Sequence, residues 1–234
     1  MSNKTQEIIT KLQEGIEGLF EGDRYKEYLR FLSRFHNCSA GNCLLILLQC
    51  PTASLVASYT EWKRMGRQVN KGEKAIKILA PHTYKETDEK GEEHVYTGFH
   101  VASVFDVSQT HHPDGKALPD IVRVLDGSVV GYHNLLDVLI GIAPVPVGFE
   151  DIEGGANGYY NIEESRIAIK SGLSEMHTIK TLLHETAHAM LHGKGCEEEK
   201  ADRRTREVQA ESVAYVVSSY LGILLTWINM TRYN

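Results

Sequence analysis

The 234-residue chain is 42% hydrophobic and 24% charged, the composition of a soluble globular protein with room for one large or two small domains. Its longest apolar runs, such as 44–48 (LLILL), are far too short to span a bilayer, and the polar opening MSNKTQEIITKLQEG lacks the apolar stretch of a signal peptide. The net charge of −6 is unevenly spread: residues 24–81 hold ten Lys/Arg against three acids, or +7, leaving −13 for the remainder and pointing to two surfaces with different partners.

In chain order, apolar residues at helical spacing predict a helix over 5–19, and 24–36 reads as a second. A third follows 37-NCSAGN-42 and ends before Pro51; a short one around 58–66 stops at Gly66. The pattern then becomes β-rich over 75–85 and 94–107, flanking the acidic stretch 86-ETDEKGEE-93, as in a hairpin with a solvated tip. Residues 108–120 read as loop, and the domain boundary is placed at about 125, giving domains 1–125 and 126–234. The second half opens with a helix near 129–141, followed by a Gly/Pro-rich stretch. A strand pair at 159–162 and 165–170 then turns at Glu163-Glu164, before helices near 174–192 and 201–222. The expected class is α+β. Four scattered cysteines with no CxxC pair are the reduced thiols of a cytoplasmic protein.

The chemistry concentrates in 181-TLLHETAHAMLH-192. On a helix, His184 and His188 share a face one turn apart, so both imidazoles reach a single ion. Zinc takes neutral imidazole nitrogens, and Glu185, on the neighbouring face, is placed to take a proton from a water; this is the HExxH pattern. A catalytic zinc needs a third protein ligand. His192 is a further turn along and is read as a capping or supporting residue; the third histidine of the longer motif fails because position 194 is Lys. An acid from the next helix remains, and 206-REVQAESVAYVV-217 offers Glu207 and Glu211 on one face. Either could ligate while the other orients a histidine. Thermolysin-like enzymes follow a similar scheme, and that resemblance makes Glu207 the ligand and Glu211 its supporter. In zinc peptidases that share such a helix pair an edge strand binds an extended peptide; 165–170 is either such a strand or a plain structural hairpin, and Tyr159 or Tyr160 either serves an oxyanion or only packs.

The basic window also carries aromatic residues, a mixture that reads either as a surface for single-stranded nucleic acid or as core aromatics (Phe31, Phe35) beside a solvated lysine face. Its densest part, 62–77, interleaves Trp62 with Lys63, Arg64, Arg67, Lys71, Lys74 and Lys77, the candidate DNA-binding residues.

Residues 34-RFHNCSAGNCLLILLQCPTASLVASYTEW-62, 66-GRQVNKGEKAIKILAP-81 and 105-FDVSQT-110 resemble the N-terminal domain of ArdC-like antirestriction proteins and of related LtrC-like proteins. The stretches 181–192 and 206–217 resemble the zincin-like metallopeptidase domain that follows it there, and are similar to ImmA/IrrE-type peptidases. The resemblance implies a single-stranded-DNA-binding domain joined to a zinc-peptidase fold, encoded on a mobile element and shielding incoming DNA from restriction. It allows two other functions: a DNA-coating module with structural zinc, or a regulatory peptidase cutting a repressor. The end, 223-ILLTWINMTRYN-234, departs from the family pattern and reads as a fragment or truncated copy.

Overall fold

This computed structural model describes residues 3–35, 37–87, 92–115 and 129–223. The chain forms two compact units, Met1–Pro119 and Asp120–Asn234. The expected boundary at 125, the hairpin tip at 88–91 and the tail from 224 lie outside the described residues. The architecture is α+β, and among the described residues no helix is long and apolar enough to cross a membrane.

In the first unit three helices, α1 (Asn3–Glu17), α2 (Arg24–Leu32) and α3 (Ala40–Gln49), precede β1 (Val56–Ser58), α4 (Tyr59–Arg64) and β2 (Gln68–Val69). A long antiparallel pair follows, β3 (Ile76–Thr87) and β4 (Glu93–Asp106), then the short β5 (Thr110–His111). One sheet runs β1-β4-β3, and β2 pairs with β5. Apolar nearly all round, α3 buries Cys43, Leu44, Leu45 and Ile46; Ser39 caps its start by accepting the Asn42 N–H. It also closes the outer edge of β3. The Asn42 side-chain amide pairs with both the N–H and C=O of Leu79, at 2.9 Å each, and Gln49 does the same with Lys77. Two side chains thus replace a neighbouring strand and satisfy an edge that would otherwise recruit another chain.

A buried carboxylate holds the loops at the other end of β4. Asp106 Oδ1 accepts from the N–H groups of Ser54 and Leu55, and Oδ2 from the N–H and hydroxyl of Ser108. Burial alone would raise its pKa, but these bonds outweigh it and hold the carboxyl below the usual range. A depressed folded pKa contributes stability that is full above the unfolded value near ~3.9 and lost as pH falls through the folded value. Asp106→Asn sets an amide N–H against the Ser108 donors, and we expect it to destabilise the protein by on the order of 2–3 kcal/mol at neutral pH. In urea denaturation the gap to wild type should close at acid pH; a pH-independent gap would contradict the ionised anchor.

The second unit contains α5 (Val129–Ile142), β6 (Val147–Glu150), β7 (Gly158–Asn161), β8 (Arg166–Lys170), α6 (Glu175–His192) and α7 (Arg203–Tyr220). β6, absent from the sequence reading, lies parallel to β8, while β7 lies antiparallel on its other side. The order β6-β8-β7 makes β8 central, and its Ile167, Ala168 and Ile169 are fully buried. This corrects the expectation that 165–170 is an edge strand: both its edges are paired, and β7 is an edge strand instead. Ile179, Leu182 and Leu183 of α6 pack with Ile167, Ile169 and Leu139 in one core. Gly158 lets β7 lie close to α6, because a Cβ there would fall 2.6 Å from Thr181 Cγ2 and 2.8 Å from the Ala168 carbonyl oxygen.

Candidate metal centre

Two capped helices carry the site. Ser174 caps α6 by accepting the His177 N–H, and Asp202 caps α7 by accepting that of Thr205. The helices pack side by side, so the polar side of α6 faces acids on α7. His184 Nε2 and His188 Nε2 approach to 3.1 Å, and Glu207 Oε2 lies 3.5 Å from the first and 3.9 Å from the second. Ligand atoms tetrahedrally arranged at zinc bond lengths lie roughly 3.3–3.4 Å apart. The three donors are spaced for one small ion, and two imidazoles with a carboxylate is a set zinc accepts.

Spacing alone allowed either Glu207 or Glu211 as the ligand, with only the resemblance favouring Glu207, and the structure places them differently. Glu207 faces the ring nitrogens directed at the shared point, whereas Glu211 Oε2 lies 3.4 Å from His184 Nδ1, on the far side of that ring. A carboxylate there favours a proton on Nδ1 and leaves Nε2 free to ligate. Burial pulls the His184 pKa down, but the Glu211, Glu185 and Glu207 carboxylates outweigh it and hold the ring above its ordinary value. His188 goes the other way: burial, then His184, His192 and Arg206, push it down to about 3, so the free ring is neutral at physiological pH. Glu185 is buried in α6. Desolvation, assisted by Glu207, raises its pKa against the pull of His184 and of the Tyr160 backbone N–H. A carboxylate raised in this way is suited to accept and return a proton.

A cleft of about 470 Å³ opens over these groups, walled by Gly158, Tyr159 and Tyr160 of β7 and by Arg203 and Arg206 of α7. The Tyr160 N–H bonded to Glu185 points away from β8, so the open edge of β7 faces the site. The Tyr159 hydroxyl is committed, donating to Glu150 Oε1 at 2.6 Å and accepting from Arg166 Nη2 at 2.8 Å. Sequence reading missed Gln209, Arg203 and Arg206. The two arginines were legible as the basic start of a helix, but only packing brings them to the cleft.

In the first unit, the DNA candidates separate. Trp62 is withdrawn as a base-stacking residue: it is 0% exposed, and its Nε1–H donates to the Phe105 carbonyl at 2.8 Å. Arg67 donates to the side chain and carbonyl of Thr110, Arg64 is paired with Glu61, and Lys77 donates to Ser103. Lys63, Lys71 and Lys74 are exposed and have no partner among the described residues. Exposed rings lie instead on one face of the β3–β4 ribbon, where Tyr84 and Tyr96 stack at 5.7 Å.

Two family models match separate stretches of the chain. Residues 1–108 match the N-terminal domain of anti-restriction factor ArdC, and residues 143–222 match the IrrE N-terminal-like domain of the M78 peptidase class. The fold is similar to the crystal structure of antirestriction ArdC protein from the R388 plasmid. The metal-free form matches with a TM-score of 0.57 at 22% identity, over 82% of this chain and 72% of that one. The Mn(II)-bound form matches with a TM-score of 0.50 at 20% identity, over 82% and 71%. The chain is also 26% identical over 266 residues to uncharacterized protein pXO2-81 of Bacillus anthracis. That match takes in 95% of this chain but only 45% of the relative, so the chain spans less than half its length.

Proposed function

Because the chain is ArdC-like, with an ArdC-type N-terminal domain followed by an IrrE-type peptidase-like domain, we propose that it binds single-stranded DNA through the first and hydrolyses peptides at a zinc site in the second. The observation that carries the enzymatic half is the convergence of His184, His188 and Glu207 beside the buried Glu185. The Mn(II)-bound relative supports a divalent ion, and the His/His/Glu donor set favours zinc. His184, His188 and Glu207 would hold it, and when bound it supplies Lewis-acid polarisation of the scissile carbonyl.

The remaining work falls to the chain's own groups. The open edge of β7 pairs with an extended substrate backbone and lays it along the cleft. The Tyr160 N–H orients the Glu185 carboxylate. Glu185 removes the proton from the attacking water and returns it to the departing amine. The test is cleavage of a mixed peptide library by the zinc-loaded protein, abolished by a chelator and restored by zinc; no cleavage by protein of verified zinc content would remove the peptidase reading.

For the DNA half, Lys63, Lys71 and Lys74 supply phosphate contacts, and Tyr84 and Tyr96 take over the stacking role first given to Trp62. Such a protein would act on mobile-element DNA in the cytoplasm, as antirestriction factors do. Salt titration should show affinity for a single-stranded oligonucleotide falling steeply with salt and exceeding that for a duplex. Replacing Lys71 and Lys74 with Glu should flatten the log–log salt slope by about 1.4, and Tyr84→Ala should cost about 1–3 kcal/mol. Salt-independent binding would remove the phosphate contacts from the account.

A further inference from the structure

The wall of the cleft opposite β7 carries two guanidiniums that the hydrolytic reading does not use. Arg203 and Arg206 stand three apart on α7, and Glu207 follows directly, so the three share one side of the helix and look into the space that holds Glu185 and the paired histidines. Arg204, between them in sequence, does not line the cleft. Among the described residues neither guanidinium donates a hydrogen bond or makes an ion pair.

The acids that could neutralise them are engaged elsewhere. Asp202 Oδ1 accepts the Thr205 N–H at 3.1 Å, and its Oδ2 accepts the Thr205 hydroxyl at 2.6 Å. Glu207 is turned to His184 and His188, and Glu185 accepts the Tyr160 N–H. The arginines also sit where the helix itself disfavours them. The first turn of α7 holds no acid, and the positive end of a helix dipole opposes cations there. Departures of this kind from local rules are expected where a ligand is met.

The chemistry of that ligand follows from the two walls. The open edge of β7 offers its backbone groups to an extended chain, and every second side chain of such a chain points to the same side. Side chains directed across the cleft meet Arg203 and Arg206, whose planar guanidiniums match a carboxylate. A basic side chain at the same place would face two cations and be rejected. We propose that Arg203 and Arg206 form a carboxylate-binding subsite that selects peptides with an aspartate or glutamate side chain near the bond to be cut. The selection at cleavage rests on the peptidase reading above; the carboxylate binding does not.

Binding is read with the full-length Glu185→Gln protein saturated with zinc, which holds peptides without cutting them. The probes are fluorescent random-peptide pools, C-terminally amidated, with two adjacent central positions fixed as Glu, Gln or Lys, so that one of the two side chains always points across the cleft. Anisotropy should show the Glu pool bound about 3–10-fold more tightly than the Gln pool, and the Lys pool most weakly. Arg203→Glu combined with Arg206→Glu should invert that order in favour of Lys, a result that unfolding or lost metal would not give, and the corresponding double change to Gln should level it. Equal affinity for the three pools, or an order that charge reversal leaves unchanged, would overturn the proposal. A Gln pool with a free C-terminus that binds like the amidated Glu pool would overturn the side-chain assignment and make a chain terminus the ligand. A single-stranded oligonucleotide that displaces the Glu pool, and binds the charge-reversed protein more weakly, would give the arginines to nucleic acid and overturn the proposal too. Glu-selective binding with no cleavage of the same pools by the zinc-loaded wild type would uphold the subsite and remove the peptidase reading alone.

Discussion

Replacing Glu185 with Gln is expected to leave zinc content unchanged while peptide hydrolysis falls by about 10²–10⁴-fold. Three observations set that division. Glu185 lies on α6 between His184 and His188, but the structure groups only His184, His188 and Glu207 around the shared point. Its carboxyl is buried, and its pKa is raised chiefly by desolvation. Glutamine is nearly isosteric, keeps an oxygen for the Tyr160 N–H, and removes only the capacity to carry a proton. The measurements are metal analysis and library cleavage on the same preparation, with oligonucleotide affinity as control. Loss of zinc in Glu185→Gln would place this residue among the ligands, and loss of DNA binding would break the proposed division of labour between the domains.

The second large effect separates the two acids of α7. Glu207→Ala removes one of the donors facing the shared point. Zinc binding worth about 10–16 kcal/mol over four ligands is about 2.5–4 kcal/mol for each, so affinity should drop by roughly 10²–10³-fold. Glu211→Ala removes a partner of His184 Nδ1, and losses of that kind are about 10–100-fold. Glu211→Gln, which still accepts from the ring, should recover most of the difference, whereas Glu207→Gln should not, because a neutral amide oxygen is a poor zinc ligand. If Glu211→Ala strips the metal and Glu207→Ala keeps it, the two roles are exchanged.

The HExxH helix was legible because its evidence is periodic: His184 and His188 four apart, with Leu182, Leu183 and Ala187 turned to the core. The long strands β3 and β4 were legible from their β-rich composition. Trp62 was misread because a six-residue helix gives too short a pattern to tell which side faces inward; the basic neighbours suggested a surface, but the indole packs inside and only the lysines reach solvent. β6 was hidden because a parallel partner lies far along the chain, here from Val147 to Ile167, with no turn to announce the pairing. The edge-strand error has the same root, since strand order is a property of the assembled sheet. Gln209 gave no signal because an amide on an amphipathic helix is ordinary until the buried imidazole it meets, seventeen residues earlier, is known.

The central place of β8 bears on how the second unit comes into being during synthesis. β6 and β7 emerge from the ribosome first, and neither pairs with the other. Both must wait for residues 166–170, which seat the two ladders together, and the HExxH helix follows after only four more residues. Sheet and HExxH helix are therefore born nearly at once, and a nascent chain halted before Arg166 would hold two orphan strands without the central strand that α6 packs against.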